Sequence, residues 1–472
     1  MPELVGTKWG DGPLGTSGGV VTWSIASGGL NIEPFGVPGK VSVDPESFLT
    51  VDFETIIRDA FADWAAVADI EFLQVEGVDE AAGSNRAFIP EIRIFFGEIG
   101  PSFDGFAFFP PPNGGALAGD ILFDNIDRYN TDTGYFSGLV THEIGHALGL
   151  DHVDIRAIMN ADIVVEELQA DDIDGIQQIY GVKSGGTPVY DLPVGERGIQ
   201  ILDAPENLLV NGNADANEIT GSSAAETLNG GGGRDKLTGG GGGDVFDGGS
   251  GDDILIGDEG ADIFDGGEGF DTVSYDGAED RVRADLQGIV EGRGEAAGDI
   301  FKAVEILIGS DHRDDLRGDF GENTVFGGEA SDRLYGRAGA DVIEGDFGDD
   351  SLYGNAGQDL MVGGPGADAF IYFRLTDSRV GFGRRDLITD FESGTDKIDL
   401  SRVDADLDED GRQGFEFIGL AQFSGTAGEV RYFRADQSRF VILQIDGDGD
   451  GAQDFQIEMS GQFDLEAEDV IL

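Results

Sequence analysis

Apolar positions along this 472-residue chain follow two rhythms. In "DFETIIRDAFADWAAV", Phe53, Ile56, Ile57, Ala60, Phe61 and Trp64 recur three and four apart. That spacing predicts one apolar face of a helix, with Asp52 as its N-cap. "VVTWSIA", "EIRIFF" and "LAGDILFDN" read as strands, and "ADDIDGIQQIYG" as a closing helix with Ile173, Ile176 and Ile179 inward and Gly181 past its end. Residues 1 to 185 are therefore expected to form an α/β (α+β) domain.

From Gly212 the period changes to nine. Two blocks, 212–274 and 309–371, separated by an insert at 275–308, contain fourteen nonapeptides that all begin with Gly and all carry an apolar residue at position eight. Each unit predicts a glycine-rich turn of six residues and a strand of three, with the apolar side chain inward. Stacking such units gives an all-β parallel solenoid over 211–372. Position six is Asp in eleven units: Asp235, Asp244, Asp253, Asp262, Asp271, Asp314, Asp332, Asp341, Asp350, Asp359 and Asp368. Rows of carboxylates beside backbone carbonyls suit a hard cation, and so Ca²⁺. The insert is expected to form a flap or strands across the solenoid, and His312 a surface residue. "SGGTPVYDLPVGERG" (184–198) reads as a linker, and the linker segment is placed at 186–210. The last part, 373–472, is expected to be a β-rich cap closing the open end. Its "DGDGDGAQD", with Asp446, Asp448 and Asp450, is a candidate for a further calcium site.

Charge narrows the partners. With 29 Lys and Arg against 93 Asp and Glu, the net charge of −64 argues against nucleic acid or an anionic membrane. The chain has no cysteine, which excludes disulfides and thiolate metal sites. No apolar run is long enough for a membrane helix, and "MPELVGTKWGDGPLG" shows no export signal.

Three of the four histidines fall in "VTHEIGHALGLDH". His142 and His146, four apart, share one helix face. Gly149 can end the helix and turn the chain so that His152 supplies a third nitrogen, leaving the fourth position of a tetrahedral zinc open for water. Glu143 is placed to take a proton from that water. Met159 follows seven residues after His152.

The pattern H-E-x-x-H-x-x-G-x-x-H, followed by Met159, resembles the metzincins, and residues 1–182 resemble the catalytic domain shared by matrixins and serralysins. The resemblance implies a zinc endopeptidase acting on protein and peptide substrates, with zinc on His142, His146 and His152, Glu143 as general base and Met159 in a Met-turn beneath the metal. It implies that an edge strand near Leu117 to Asp124 pairs with the substrate. Ala161 stands where serralysins carry a tyrosine, so no phenolate ligand is expected there. Asp124 and Asp127 resemble a matrixin calcium site, with solvated loop carboxylates as the equal alternative. The nonapeptides resemble the RTX β-roll. Together with the final "EDVIL", which resembles a type I secretion signal or else forms a buried last strand, they imply leaderless export from a Gram-negative bacterium through the type I secretion machinery, as a monomer. A calcium-dependent surface or adhesion protein with an inactive protease domain is the rival reading.

Overall fold

The computed structural model describes residues 19–25, 30–31, 40–41, 45–75, 91–97, 105–108, 110, 119–124, 128–152, 159, 167–180, 183, 187–205, 207–405, 413–434 and 439–472. The chain divides into two compact units, Met1–Leu228 and Asn229–Leu472.

In the first unit, β1 (Gly19–Ile25), α1 (Phe53–Val67), β2 (Ile70–Val75), β3 (Ile92–Gly97), β4 (Gly105–Ala107), β5 (Ile121–Asp124), α2 (Thr133–Ala147) and α3 (Ala170–Tyr180) follow in order. The strands line up as β2-β1-β3-β5-β4, all parallel except β4, which runs antiparallel along β5. The Asp52 carboxylate accepts the Thr55 N–H at 3.1 Å, so the cap expected from sequence is in place. Phe53, Ile57, Ala60, Phe61 and Trp64 are buried, with Ile56 only partly so. Trp23 stacks on Phe61 with ring centroids 4.5 Å apart. The indole N–H of Trp64 crosses the core to the Thr141 carbonyl at 3.0 Å, which ties α1 to α2.

Two expectations need correction. Strand β5 is interior, between β3 and β4, so the edge lies at Gly105–Ala107 and not near Leu117–Asp124. The edge strand is held there because the chain folds straight back on itself: Phe108 N–H donates to Asp120 O at 2.9 Å and Gly119 N–H to Phe108 O at 3.0 Å. The stretch read as a linker also contains two strands, β6 (Val189–Asp191) and β7 (Gly198–Asp203). Strand β7 buries Ile199 and Ile201, and pairs antiparallel with β2 and parallel with Glu218–Thr220 of the first nonapeptide. Alternation of its apolar residues outweighs the Gly and Pro around it.

The second unit is a β-roll. Short parallel strands 18 residues apart stack directly, for example Lys236–Thr238, Ile254–Ile256 and Thr272–Ser274 on one side and Val245–Ser250 with Ile263–Glu268 on the other. All fourteen position-eight side chains, from Ile219 to Phe370, are fully buried. Gly251, at φ +139°, shows why the turns need glycine: a Cβ there would collide with the Gly233 carbonyl of the preceding coil. The insert is not a flap. Its strands Ile300–Lys302 and Ile306–Ile308 continue the two existing sheets, while Arg283–Asp285 begins a third that carries on through Asp315–Arg317, Arg333–Gly339 and Ser351–Gly357. Glu429–Arg434, Phe440–Asp446 and Phe455–Ser460 form an antiparallel sheet, and Val470–Ile471 adds a last parallel strand beside Lys397–Asp399.

Candidate metal and active site

The helix α2 ends in a Schellman turn. The Leu150 N–H reaches the Gly145 carbonyl and the Gly149 N–H the His146 carbonyl, both at 2.9 Å, and Gly149 takes φ +103°. This reversal carries His152 back over the helix. The Nε2 atoms of His146 and His152 come within 3.0 Å, and those of His152 and His142 within 3.3 Å. The Leu150 carbonyl, 2.7 Å from His146 Nδ1, fixes that ring so that Nε2 faces the other two histidines.

Does zinc fit this set? Bonds of about 2.0–2.1 Å at tetrahedral angles put ligand nitrogens roughly 3.3 Å apart, close to the separations seen. Burial, helped by the neighbouring His142, lowers the His146 imidazole to about 3, so the ring is neutral at pH 7 and able to bind a metal. The three imidazoles form one of two groups among the described residues in which three His, Asp or Glu side chains converge closely enough to hold an ion together.

Glu143 is buried. One of its oxygens accepts the backbone N–H of Ala107 on the edge strand β4, while Oε2 has no hydrogen-bond partner. Burial pushes its carboxyl up to about 8, against the lowering pull of the Ala107 N–H. Met159 is fully buried, and its N–H donates to the Asp172 carboxylate at 3.2 Å. The other Asp172 oxygen accepts the Gln169 N–H at 2.8 Å, so this buried acid clamps the methionine turn to the start of α3.

Gly145, between the two helical histidines, is as consequential as they are. A Cβ there would collide with Met159 Sδ and lie 3.0 Å from the Trp64 ring. Gly145→Ala should therefore destabilise the domain by about 1–3 kcal/mol, the usual cost of overpacking. Thermal unfolding followed by tryptophan emission reads this domain selectively, since Trp9, Trp23 and Trp64 are the only tryptophans. A double variant that also truncates Met159 should recover part of the loss.

The second candidate set is the aspartate row of the roll. Asp235, Asp244, Asp253, Asp332, Asp341 and Asp350 each donate their N–H, at 2.7–3.0 Å, to Oδ1 of the aspartate 18 residues ahead. The Oδ2 atoms of Asp253, Asp262, Asp271, Asp332, Asp341, Asp350, Asp359 and Asp368 are buried without a partner. They face backbone oxygens: a Cβ placed on Gly327 would lie 2.7 Å from Asp332 Oδ2 and 2.6 Å from the Gly345 carbonyl. Such oxygen-lined hollows fit Ca²⁺, which takes six to eight oxygens. Asp314 differs, since the Ser310 N–H and hydroxyl and the Val282 N–H occupy both its oxygens. Asp386 and Asp396, not marked by the nonapeptide reading, take the same place in the row and accept the N–H groups of Asp359 and Asp368. In the last candidate loop, Asp446 and Asp448 converge with Asp454, and Asp450 is not part of the group. Asp124 ends strand β5, and Asp127 lies outside the described residues.

Residues 40–181 match the matrixin family, residues 209–237 and 238–273 the RTX calcium-binding nonapeptide repeat, and residues 324–472 the serralysin C-terminal region of peptidase family M10. The chain is a matrixin domain followed by RTX repeats. Over 165 residues it is 32% identical to the interstitial collagenase of Oryctolagus cuniculus, covering 32% of each chain. Karilysin of Tannerella forsythia is 30% identical over 162 residues, which is 30% of this chain and 32% of karilysin. Neutrophil collagenase of Homo sapiens is 36% identical over 147 residues, 28% of this chain and 30% of that protein. The chain thus spans about a third of the length of these relatives. The three histidines, Glu143 and Met159 all lie inside the matched matrixin segment, and its zinc is the one they would hold.

Proposed function

We propose that this chain is a zinc-dependent endopeptidase that cleaves proteins outside the cell and is held in shape by calcium. The observation that carries the reading is Glu143 Oε2, buried and without a partner, one residue from the first of three converging imidazoles. Zinc, when bound, would supply the positive charge that polarises a scissile carbonyl and eases deprotonation of water.

The chain's own groups then divide the work. His142, His146 and His152 would hold the metal as neutral ligands. Glu143 accepts the proton of the attacking water and returns it to the leaving amine, the work of a carboxylate positioned beside the metal. The Ala107 N–H holds the other Glu143 oxygen, which aims the free one. Strand β4 offers its outer edge for an extended substrate peptide to add as a further strand. The three-part division into protease (1–185), calcium roll (211–372) and cap (373–472) belongs to this proposal. So do a monomeric state and export by the type I secretion machinery, supported by the RTX match.

The test is cleavage of unfolded casein with calcium fixed. Activity should vanish when zinc is stripped and return when zinc is restored, at one ion per chain by elemental analysis. Undiminished cleavage by zinc-free protein would sink the reading, as would inertness of a folded, zinc-loaded chain.

A further inference from the structure

In a chain where acids outnumber bases by 93 to 29, five arginines line one cavity of about 190 Å³ in the second unit. They are Arg281, Arg283, Arg293, Arg313 and Arg333, and they come from separate stretches of sequence. Arg283 stands on the first strand of the third roll sheet, Arg333 on its third strand, and Asp315 sits between them in register. Arg293 is brought in by an antiparallel bridge between its own backbone and that of Arg283. Arg281 and Arg313 each stand two residues before the start of the first and second strands, respectively.

Only two acids line the cavity, too few to balance this charge. Both oxygens of Asp314 are taken by the Ser310 N–H and hydroxyl and the Val282 N–H. Asp315 lies 3.3 Å from Arg283 and 2.8 Å from Arg317, a sixth arginine that lies over the Tyr335 ring instead of lining the cavity. Arg281, Arg293, Arg313 and Arg333 form no ion pair among the described residues. Even if both aspartates are counted in full, three positive charges remain.

Charging a sheet edge to block aggregation would explain isolated charges here. It does not explain convergence of one sign, which costs Coulomb energy, nor the use of the scarcer sign in this chain. We infer that this cavity binds a tetrahedral oxyanion, a sulfate or phosphate group, either free or as an ester on a larger molecule. Guanidinium forks match the paired oxygens of such groups, and a divalent anion offsets most of the surplus, which a single carboxylate would not.

The full-length chain, with calcium and ionic strength held constant against chloride, would be titrated calorimetrically with inorganic sulfate, glucose 6-sulfate and glucose 6-phosphate. Saturable binding at one site per chain is expected, weakened about tenfold or more by the double variant Arg281→Gln/Arg333→Gln. Arg234→Gln, which removes an exposed arginine paired with Asp252 elsewhere on the roll, should bind as the parent does. Calcium-dependent far-UV circular dichroism would check that each variant folds. Binding of the esters but not of inorganic sulfate would identify an esterified group as the ligand. Absence of saturable binding beyond chloride, or binding undiminished in a folded double variant, would overturn the assignment.

Discussion

Replacing Glu143 by Gln should lower kcat/KM on casein by about 10²- to 10⁴-fold, the range that a positioned proton acceptor contributes. The side-chain amide keeps an oxygen for the Ala107 N–H and nearly the same volume in a buried site, so folding should be preserved. The three imidazoles are untouched, so zinc content should equal that of the parent. Loss of turnover with full metal occupancy separates proton transfer from metal binding, which a histidine substitution could not do. A deficit below tenfold would mean that another group moves the proton.

Stripping calcium should have the largest effect on folding. At neutral pH it should abolish most of the roll's β structure while leaving tryptophan emission from the first unit largely unchanged. Eight buried aspartate oxygens without a donor are tolerable beside a cation and costly without one. Burial pushes Asp262, Asp332, Asp359 and Asp368 up to about 7, and Asp253, Asp341 and Asp350 up to about 6. Protonation then stabilises the calcium-free fold. That contribution is fully present below about pH 4, the range of an unfolded aspartate, and is lost as pH rises through 6 to 7. In chelator, acidification from pH 7.5 to 5 should restore strand signal in circular dichroism. In calcium the sign reverses, because protons compete with the ion for the same oxygens, so thermal stability should fall over the same interval. Parallel pH dependence in the two conditions would rule out these carboxylates as the ligands.

The residues that carry identity in their side chains were the legible ones. Histidines at spacings of four and six with Gly149 between them specified the converging nitrogens, and a ninefold apolar position specified the buried ladder of the roll. What escaped was carried by the backbone, by the absence of a side chain, or by broken phase. The Ala107 N–H that holds Glu143 has no letter of its own, and finding it required knowing which strand lies at the edge. "DGFAFF" is too short and too flanked by Pro and Gly to announce that strand. Gly145 passes as one of the unconstrained positions of the zinc motif, and its purpose appears only when Met159 is seen against it. Asp172 reads as a solvated first-turn acid, although it is buried under the methionine turn. Asp386 stands at position six of "GFGRRDLIT", a unit with Gly first and Ile388 eighth. A nine-residue stretch between Ile371 and Gly381 hides it, because that unit stays in phase but begins with Tyr372 and carries Arg379 at position eight, ending the run of matching units. The insert at 275–308 was hard for a similar reason, since its strands join the stacks at irregular intervals.

The aspartate N–H to Oδ1 links each join residues 18 apart, not nine, and this sets how the chain can change in length. One closed coil is two nonapeptides, with one strand on each side. Excising 327–344 would bring equivalent turns into contact and shorten the roll by one storey, at the cost of the links and ions of that storey alone. Excising nine residues would hand every later strand to the opposite wall and set each carboxylate against the wrong turn. Growth and loss in this region are therefore quantised: duplications that survive should come in multiples of 18, and the length of the roll can drift across generations without any redesign of its parts.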